Sequence, residues 1–312
     1  MPRAYLTVTI DTECDKGPGW RVEKPAAFAG VTDGVARRLE PLFRSLGAKG
    51  TYLVSGEVLE DPASVEVLLG ARADLGAHLH GETVAPDAHL PDVTAQFQRD
   101  YPEALERAKL TTLTARFAEV FGRAPRSFRA GRFGVGRHTL RILSDLGYAV
   151  ESSVTPHVDW ASSGAPGLAF PDAPTQPYHP AWDEPGRPGE CPLWEVPVTI
   201  RRRWLNAVPV LGPRVEPRWL RPTHMTGRAL VRLAEDEVRD ASGRAVASGS
   251  PRPPVLTCMF HNVEIVPGKS PYAASEGAAR RILGSLAELL AFARREDIRV
   301  VGLSDLPEVL AP

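Results

Sequence analysis

Asp11 and Glu13 stand two residues apart at the end of the apolar run Tyr5-Leu6-Thr7-Val8-Thr9-Ile10. Alternating β-branched residues there read as a buried strand. Two carboxylates at its C-terminal tip would be costly inside a core and belong where a metal ion or a reacting group can use them. The two-residue period of a strand turns both side chains to one side, so one can hold a cation while its neighbour handles a proton. Taken alone, Asp-Thr-Glu also fits a solvated strand end before a turn.

A second group lies in Asp74-Leu75-Gly76-Ala77-His78-Leu79-His80-Gly81-Glu82. Strand alternation puts His78 and His80 on one face, a common way to offer two imidazoles to one ion. With Asp11 and Glu13 they make a carboxylate and imidazole set that suits Zn²⁺ foremost, with Co²⁺, Mn²⁺ or Ni²⁺ as alternatives. Arg129 ends a strand-like segment before the Gly-rich turn Ala130-Gly131-Arg132-Phe133-Gly134. It is either a surface arginine or one that pairs with a buried carboxylate and fixes its ionisation. Asp159-Trp160 follows another strand-like segment, and His261 caps the apolar run Val255-Leu256-Thr257-Cys258-Met259-Phe260.

Eight strand-like segments can position these residues: 6–10, 51–54, 75–80, 127–129, 149–154, 194–200, 255–260 and 298–303. Helical spacing appears over 33–46, closed by Gly47, and over 101–121, 137–146 and 276–295. Strands alternating with helices indicate an α/β protein with a mainly parallel sheet. No glycine-rich phosphate loop follows the first strand. The chemically loaded residues sit at the C-terminal ends of strands spread along the chain, which is the signature of a β/α barrel. Stretches rich in Pro and Gly, about 161–192 and 241–254, read as long loops over one barrel domain spanning 1–312.

Bulk properties narrow the function classes. The 312 residues are 43% hydrophobic with a net charge of −1, and mean hydropathy is −0.17. That balance argues against nucleic acid as the main partner. Three widely spaced cysteines, Cys14, Cys191 and Cys258, suit reduced thiols better than a disulfide framework. No signal-peptide pattern opens the chain and no apolar stretch is long enough to cross a membrane, so a cytoplasmic location is expected. Arg201-Arg202-Arg203 reads as a solvated strand end. Trp160, Tyr178, Trp182 and Trp204 are loop anchors or sugar-stacking residues. Oligomeric state stays open.

In this order, Thr9-Ile10-Asp11-Thr12-Glu13, Gly76-Ala77-His78-Leu79-His80, Phe128-Arg129-Ala130-Gly131, Asp159-Trp160 and Met259-Phe260-His261 resemble the five motifs of the polysaccharide deacetylases. That is the NodB-homology group, or family-four carbohydrate esterases; the likeness is to its branch with Asp-Thr-Glu and His-Leu-His. The resemblance implies a distorted barrel of seven or eight strands, one divalent ion, and hydrolysis of an acetyl group, N-acetyl foremost, on a sugar or oligosaccharide. It implies Asp11 as catalytic base, Arg129 as the arginine holding it, His261 as general acid, Asp159 as the aspartate that tunes the acid, and Trp160 as a pocket wall. The metal set departs from the commonest pattern, since Thr12 stands where a second aspartate is usual. Glu13, His78 and His80 are the expected ligands, with Glu82 as substitute should His80 turn outward. Two other readings remain: a hydrolase of cyclic amides on a related barrel, and a non-catalytic ligand-binding or scaffold barrel.

Overall fold

The computed structural model describes residues 2–22, 24–86, 97–203, 216–247 and 252–311. Its centre is an all-parallel sheet of eight strands: β1 (Ala4–Thr12), β2 (Thr51–Ser55), β3 (Asp74–Leu79), β4 (Ser127–Ala130), β5 (Val150–Glu151), β6 (Trp194–Glu195), β7 (Val255–His261) and β8 (Ile298–Val300). Their spatial order is β7-β1-β2-β3-β4-β5-β6, and β8 joins the start of β1. Nine-residue β1 is long enough to use one edge twice. β8 pairs with Ala4–Leu6 and β2 with Thr9–Thr12, while β7 follows the other edge from Tyr5 to Asp11.

All nine residues of β1 are buried, because a parallel sheet in such a fold is covered on both faces. Ala4, Leu6, Val8 and Ile10 join the large core shared with the helices. Tyr5 joins Leu53, Val150, Trp194 and Val255, which come from four other strands and fill the inside of the curl. Alternation therefore sends Asp11, in phase with Tyr5, to the inner side at the strand's C-terminal end. Beyond β6 the chain runs on to meet β7, where Thr199 N–H donates to Thr257 O at 3.0 Å and Thr257 N–H to Thr199 Oγ1 at 2.8 Å. That short seam is why the barrel is distorted. The expected strand over 194–200 pairs with β5 only at Trp194–Glu195.

The helices come largely where spacing predicts them: Glu103–Phe121, Thr139–Asp145 and Glu276–Arg295. The expected helix over 33–46 opens earlier, as the π-wound turns Gly30–Leu39, and then becomes Glu40–Leu46. Gly47 closes it at φ 66°, the left-handed cap glycine permits. One helix was not expected. Gly227–Ala247 buries Leu230, Leu233, Ala234 and Val238, and it occupies the first residues of the loop read over 241–254. The other long loop carries a small antiparallel pair, Pro180–Ala181 with Glu184–Pro188. No helix among the described residues is long and apolar enough to cross a membrane. All three cysteines are buried and unpaired.

Candidate active site

Strand register brings the first three motifs and the last to one end of the sheet. Asp11 on β1 is level with His261 on β7, and Ser55 on β2 is level with His78 on β3, itself level with Arg129 on β4. Glu13 follows β1 by one residue. Its backbone is gripped on both sides by Asn262, whose Oδ1 accepts from Glu13 N–H at 3.0 Å and whose Nδ2 donates to Glu13 O at 2.9 Å. Gly131 lets the turn after β4 lie against β3, since a Cβ there would stand 2.6 Å from Leu79 O and 3.0 Å from the His80 ring.

Arg129 is fully buried and spends its donors on fixed partners. Nη1 donates to Asp11 Oδ1 at 2.7 Å, Nε to Ser152 O at 2.7 Å and Nη2 to Ser152 Oγ at 2.9 Å. Burial works against ionisation of Asp11. Arg129, helped by His78 and His261, outweighs it and holds that carboxyl below its ordinary range. Oδ2 of Asp11 is turned to the other side, 3.9 Å from His261 Nε2.

Glu13 Oε1 is met by His78 Nε2 at 3.2 Å and His80 Nε2 at 3.1 Å. The Oε2 atom faces Lys16 Nζ at 2.7 Å. Burial opposes the charge on Glu13, yet Lys16 and the two imidazoles keep its pKa well below the usual value. His78 Nδ1 donates to Arg129 O at 2.9 Å, which leaves Nε2 as the ring nitrogen turned toward the cluster. One carboxylate oxygen and two imidazole nitrogens, all within 4.8 Å of one another and buried, form a donor set that fits a divalent ion. Glu82 is not part of it. Its carboxylate pairs with Arg132, 3.5 Å from the other ring nitrogen of His80, so it backs the imidazole that points inward.

Protons compete for this set. Burial would lower the pKa of His80, but Glu13 and Glu82 overcome that and push it up to about 9. The folded value lies above the 6.5 of an ordinary histidine. Protonation of His80 therefore stabilises the ion-free fold fully below that pH and ceases to do so as pH rises through about 9. An ion must displace this proton. Apparent affinity for Zn²⁺, followed by calorimetry, should climb from pH 6 to about pH 9 with proton release on binding; a flat profile would count against His80 as ligand.

His261 does not meet Asp159. Its Nδ1 lies 2.7 Å from Glu264 Oε1, on the turn Asn262–Ile265 that follows β7. Asp159 is exposed and its Oδ1 caps the next turn by accepting from Ala161 N–H at 2.9 Å. The reading of Asp159 as the tuner of the acid is corrected on that ground. Glu264 is fully buried, with Arg221 and Thr223 as further partners. Burial alone would raise its pKa; Arg221 foremost, then His261 and Thr223, pull it down to about 2. Because that lies below the ordinary 4.5, its stabilising effect is complete above that pH and is lost as pH falls toward 2. Glu264→Gln should therefore lower Tm at neutral pH and flatten its fall across this acid range in calorimetric scans. A variant that tracks the parent at every pH would contradict the coupling.

These groups line one cavity of about 990 Å³, within the size of ordinary small-molecule sites. Asp11, Glu13, His78, His80 and His261 share it with Trp20, Phe133, Trp160 and Tyr272. Among the loop aromatics, Trp160 is thus a wall, stacked on Phe133 at 5.4 Å. Trp182 lies under Arg141 and Tyr178 donates to Pro185 O, so both are anchors; Trp204 falls outside the described residues. Arg201 pairs with Glu237 and Asp240 of the helix Gly227–Ala247, which accounts for the first residue of the arginine run.

No protein-family profile matches the chain, and no curated protein matches its sequence. Solved structures do. A putative polysaccharide deacetylase from Mycobacterium smegmatis superposes with a TM-score of 0.57 at 19% identity, over 99% of this chain and 90% of that one. A probable polysaccharide deacetylase from Pseudomonas aeruginosa PAO1 gives 0.54 at 13% identity, over 99% and 91%. The fold is that of the polysaccharide deacetylases. Puue allantoinase shares it too, with a TM-score of 0.55 at 15% identity over 99% and 90%. At such identities the polysaccharide-deacetylase barrel is established as architecture.

Sequence reasoning missed Glu264, Asn262, Lys16, Trp20 and Tyr272. All five follow the first or the last motif within eleven residues. Trp20, in Gly17-Pro18-Gly19-Trp20, was the most visible: an aromatic in a Gly-Pro turn just after the acidic pair.

Proposed function

We propose that this protein is a metal-dependent hydrolase that removes acetyl groups, N-acetyl foremost, from a carbohydrate. The observation that carries the reading is the convergence of Glu13, His78 and His80 beside an arginine-held Asp11 and an inward-facing His261 in one cavity. Glu13, His78 and His80 would hold the ion, with Zn²⁺ foremost; bound there, it supplies Lewis acidity toward a carbonyl oxygen and toward water.

The remaining chemistry belongs to the chain. Arg129 occupies Oδ1 of Asp11 and leaves Oδ2 to take a proton from the attacking water. So strongly held a carboxylate is a weak base, so the proton does not rest there. His261 Nε2, 3.9 Å away, is placed to carry it to the departing nitrogen. Glu264 at Nδ1 fixes which ring nitrogen faces the substrate and where it points, the task first read for Asp159. Trp160 and Trp20 narrow the entrance and exclude water around the acetyl group.

The test is acetate release from a panel of N-acetylated and O-acetylated sugars by protein loaded in turn with Zn²⁺, Co²⁺, Mn²⁺ or Ni²⁺. A second reading follows from the barrel shared with Puue allantoinase: the same groups would open a cyclic amide. Ring opening of a cyclic ureide without acetate release from any sugar would move the assignment to that substrate class.

A further inference from the structure

Two carboxylates of the cavity turn one oxygen inward and give the other to a cation. Arg129 takes Oδ1 of Asp11 at 2.7 Å and leaves Oδ2 facing His261. Lys16 does the same for Glu13. Its Nζ stands 2.7 Å from Oε2, while Oε1 faces the two imidazoles at 3.1 and 3.2 Å. The contact lies away from solvent, with the Lys16 side chain 12% exposed and that of Glu13 3%. Charges so placed hold one another firmly, since neither can exchange its partner for bulk water. The other two donors are also held from behind, His78 by Arg129 O and His80 by Glu82. Only at Glu13 is the backing group a cation.

The backbone fixes where that ammonium can reach. Lys16 N–H donates to Lys269 O at 3.1 Å, and Lys16 O accepts from Arg21 N–H at 2.7 Å. One residue earlier, the carboxylate of the fully buried Asp15 accepts from Ala29 N–H at 3.1 Å and Gly30 N–H at 2.8 Å. It also meets Lys269 Nζ at 3.2 Å. Asn262 grips the backbone of Glu13 on both sides. Ammonium and carboxylate therefore project from two pinned points of the chain, and the fold sets their pairing at Oε2. A carboxylate can ligate an ion through one oxygen or through both. A second oxygen turned inward would fill a place that a three-donor catalytic site keeps open. Partners of a ligating carboxylate decide which of these occurs.

We propose that Lys16 is a positioning residue that restricts Glu13 to ligation through Oε1 and so keeps a place on the ion open to substrate. It acts through Glu13 and touches no reacting atom. Its charge also opposes that of the ion, so the site gives up affinity in exchange for an open position. The proposal rests on the metal-dependent deacetylase reading and deepens it.

The test loads the parent, Lys16→Met and Lys16→Arg with Co²⁺, whose visible absorption is intense at four ligands and weakens as a further ligand is added. In Lys16→Met the bands should weaken, Co²⁺ should bind at least as tightly as in the parent by calorimetry, and kcat for acetate release should fall about 10–100-fold. Lys16→Arg keeps a cationic donor for Oε2 and should stay close to the parent in all three. Added acetate should perturb the Co²⁺ spectrum of the parent and leave that of Lys16→Met unchanged. A Lys16→Met protein with the spectrum of the parent overturns the inference. So does one that binds Co²⁺ more weakly, because the lysine would then support the donor set and not restrain it. A parent whose spectrum ignores acetate overturns the inference without recourse to any variant, and a parent that takes up no Co²⁺ removes it together with the metal set. A parent that binds Co²⁺ and responds to acetate, yet deacetylates no sugar, overturns the deacetylase reading alone, and the spectra of the variants then decide the role of Lys16.

Discussion

Replacing Asp11 with Asn should lower kcat for acetate release about 10²–10⁴-fold, the usual effect of removing a general base. Asn keeps an oxygen for Arg129 Nη1, which now sits 2.7 Å from Asp11 Oδ1, so the local geometry has a partner to rest on. It cannot take the proton that Oδ2 would accept. The donor set Glu13, His78 and His80 is untouched, so ion uptake by the variant should match the parent. A folded, metal-loaded Asp11→Asn protein with undiminished kcat would remove Asp11 from the chemistry. A variant that loses the ion as well as the activity would show instead that Asp11 serves the metal set.

Arg129→Met should cost about 3–5 kcal/mol of stability, as expected when one member of a buried ion pair is removed and its partner keeps an uncompensated charge. For a chain of this length that corresponds to a fall in Tm on the order of 10 °C. The magnitude follows from burial: Arg129 is fully buried and Asp11 is only 2% exposed, and Ser152 loses two donors as well. Adding Asp11→Leu to Arg129→Met should recover part of the loss, because no buried charge is then left unpaired. An unchanged Tm in calorimetry for the single variant would contradict the pairing, and further loss in the double variant would contradict its electrostatic origin.

The parts of the site legible in sequence were those with strand periodicity. Asp11, Glu13, His78, His80 and His261 stand at the ends of apolar strands, and a two-residue period is enough to aim them at one another once the strands run parallel. Arg129 was legible only as a candidate, because an arginine at a strand end is either exposed or paired with a buried carboxylate. What stayed hidden lies on turns. Asp159 and Glu264 both follow strand ends by a few residues, and neither spacing shows which carboxylate reaches His261. The turn Asn262–Ile265, packed against the π-wound Gly30–Leu39, decides it. Gly34 marks that contact, since a Cβ there would come 2.9 Å from Val266 Cγ2. The helix Gly227–Ala247 was hidden for another reason. Its inner face carries Glu237, whose burial depends on Arg201 and Arg244, so the apolar stripe is interrupted where tertiary pairing takes over.

The central claim is that Glu13, His78 and His80 hold a divalent ion on which the hydrolysis depends. Titration of chelator-stripped protein with Zn²⁺, read by calorimetry, tests it most directly, with His78→Ala and His80→Ala beside the parent. The account predicts one saturable ion per chain in the parent and loss of that isotherm in both variants. A parent that takes up no ion, or variants that bind it as the parent does, would contradict it.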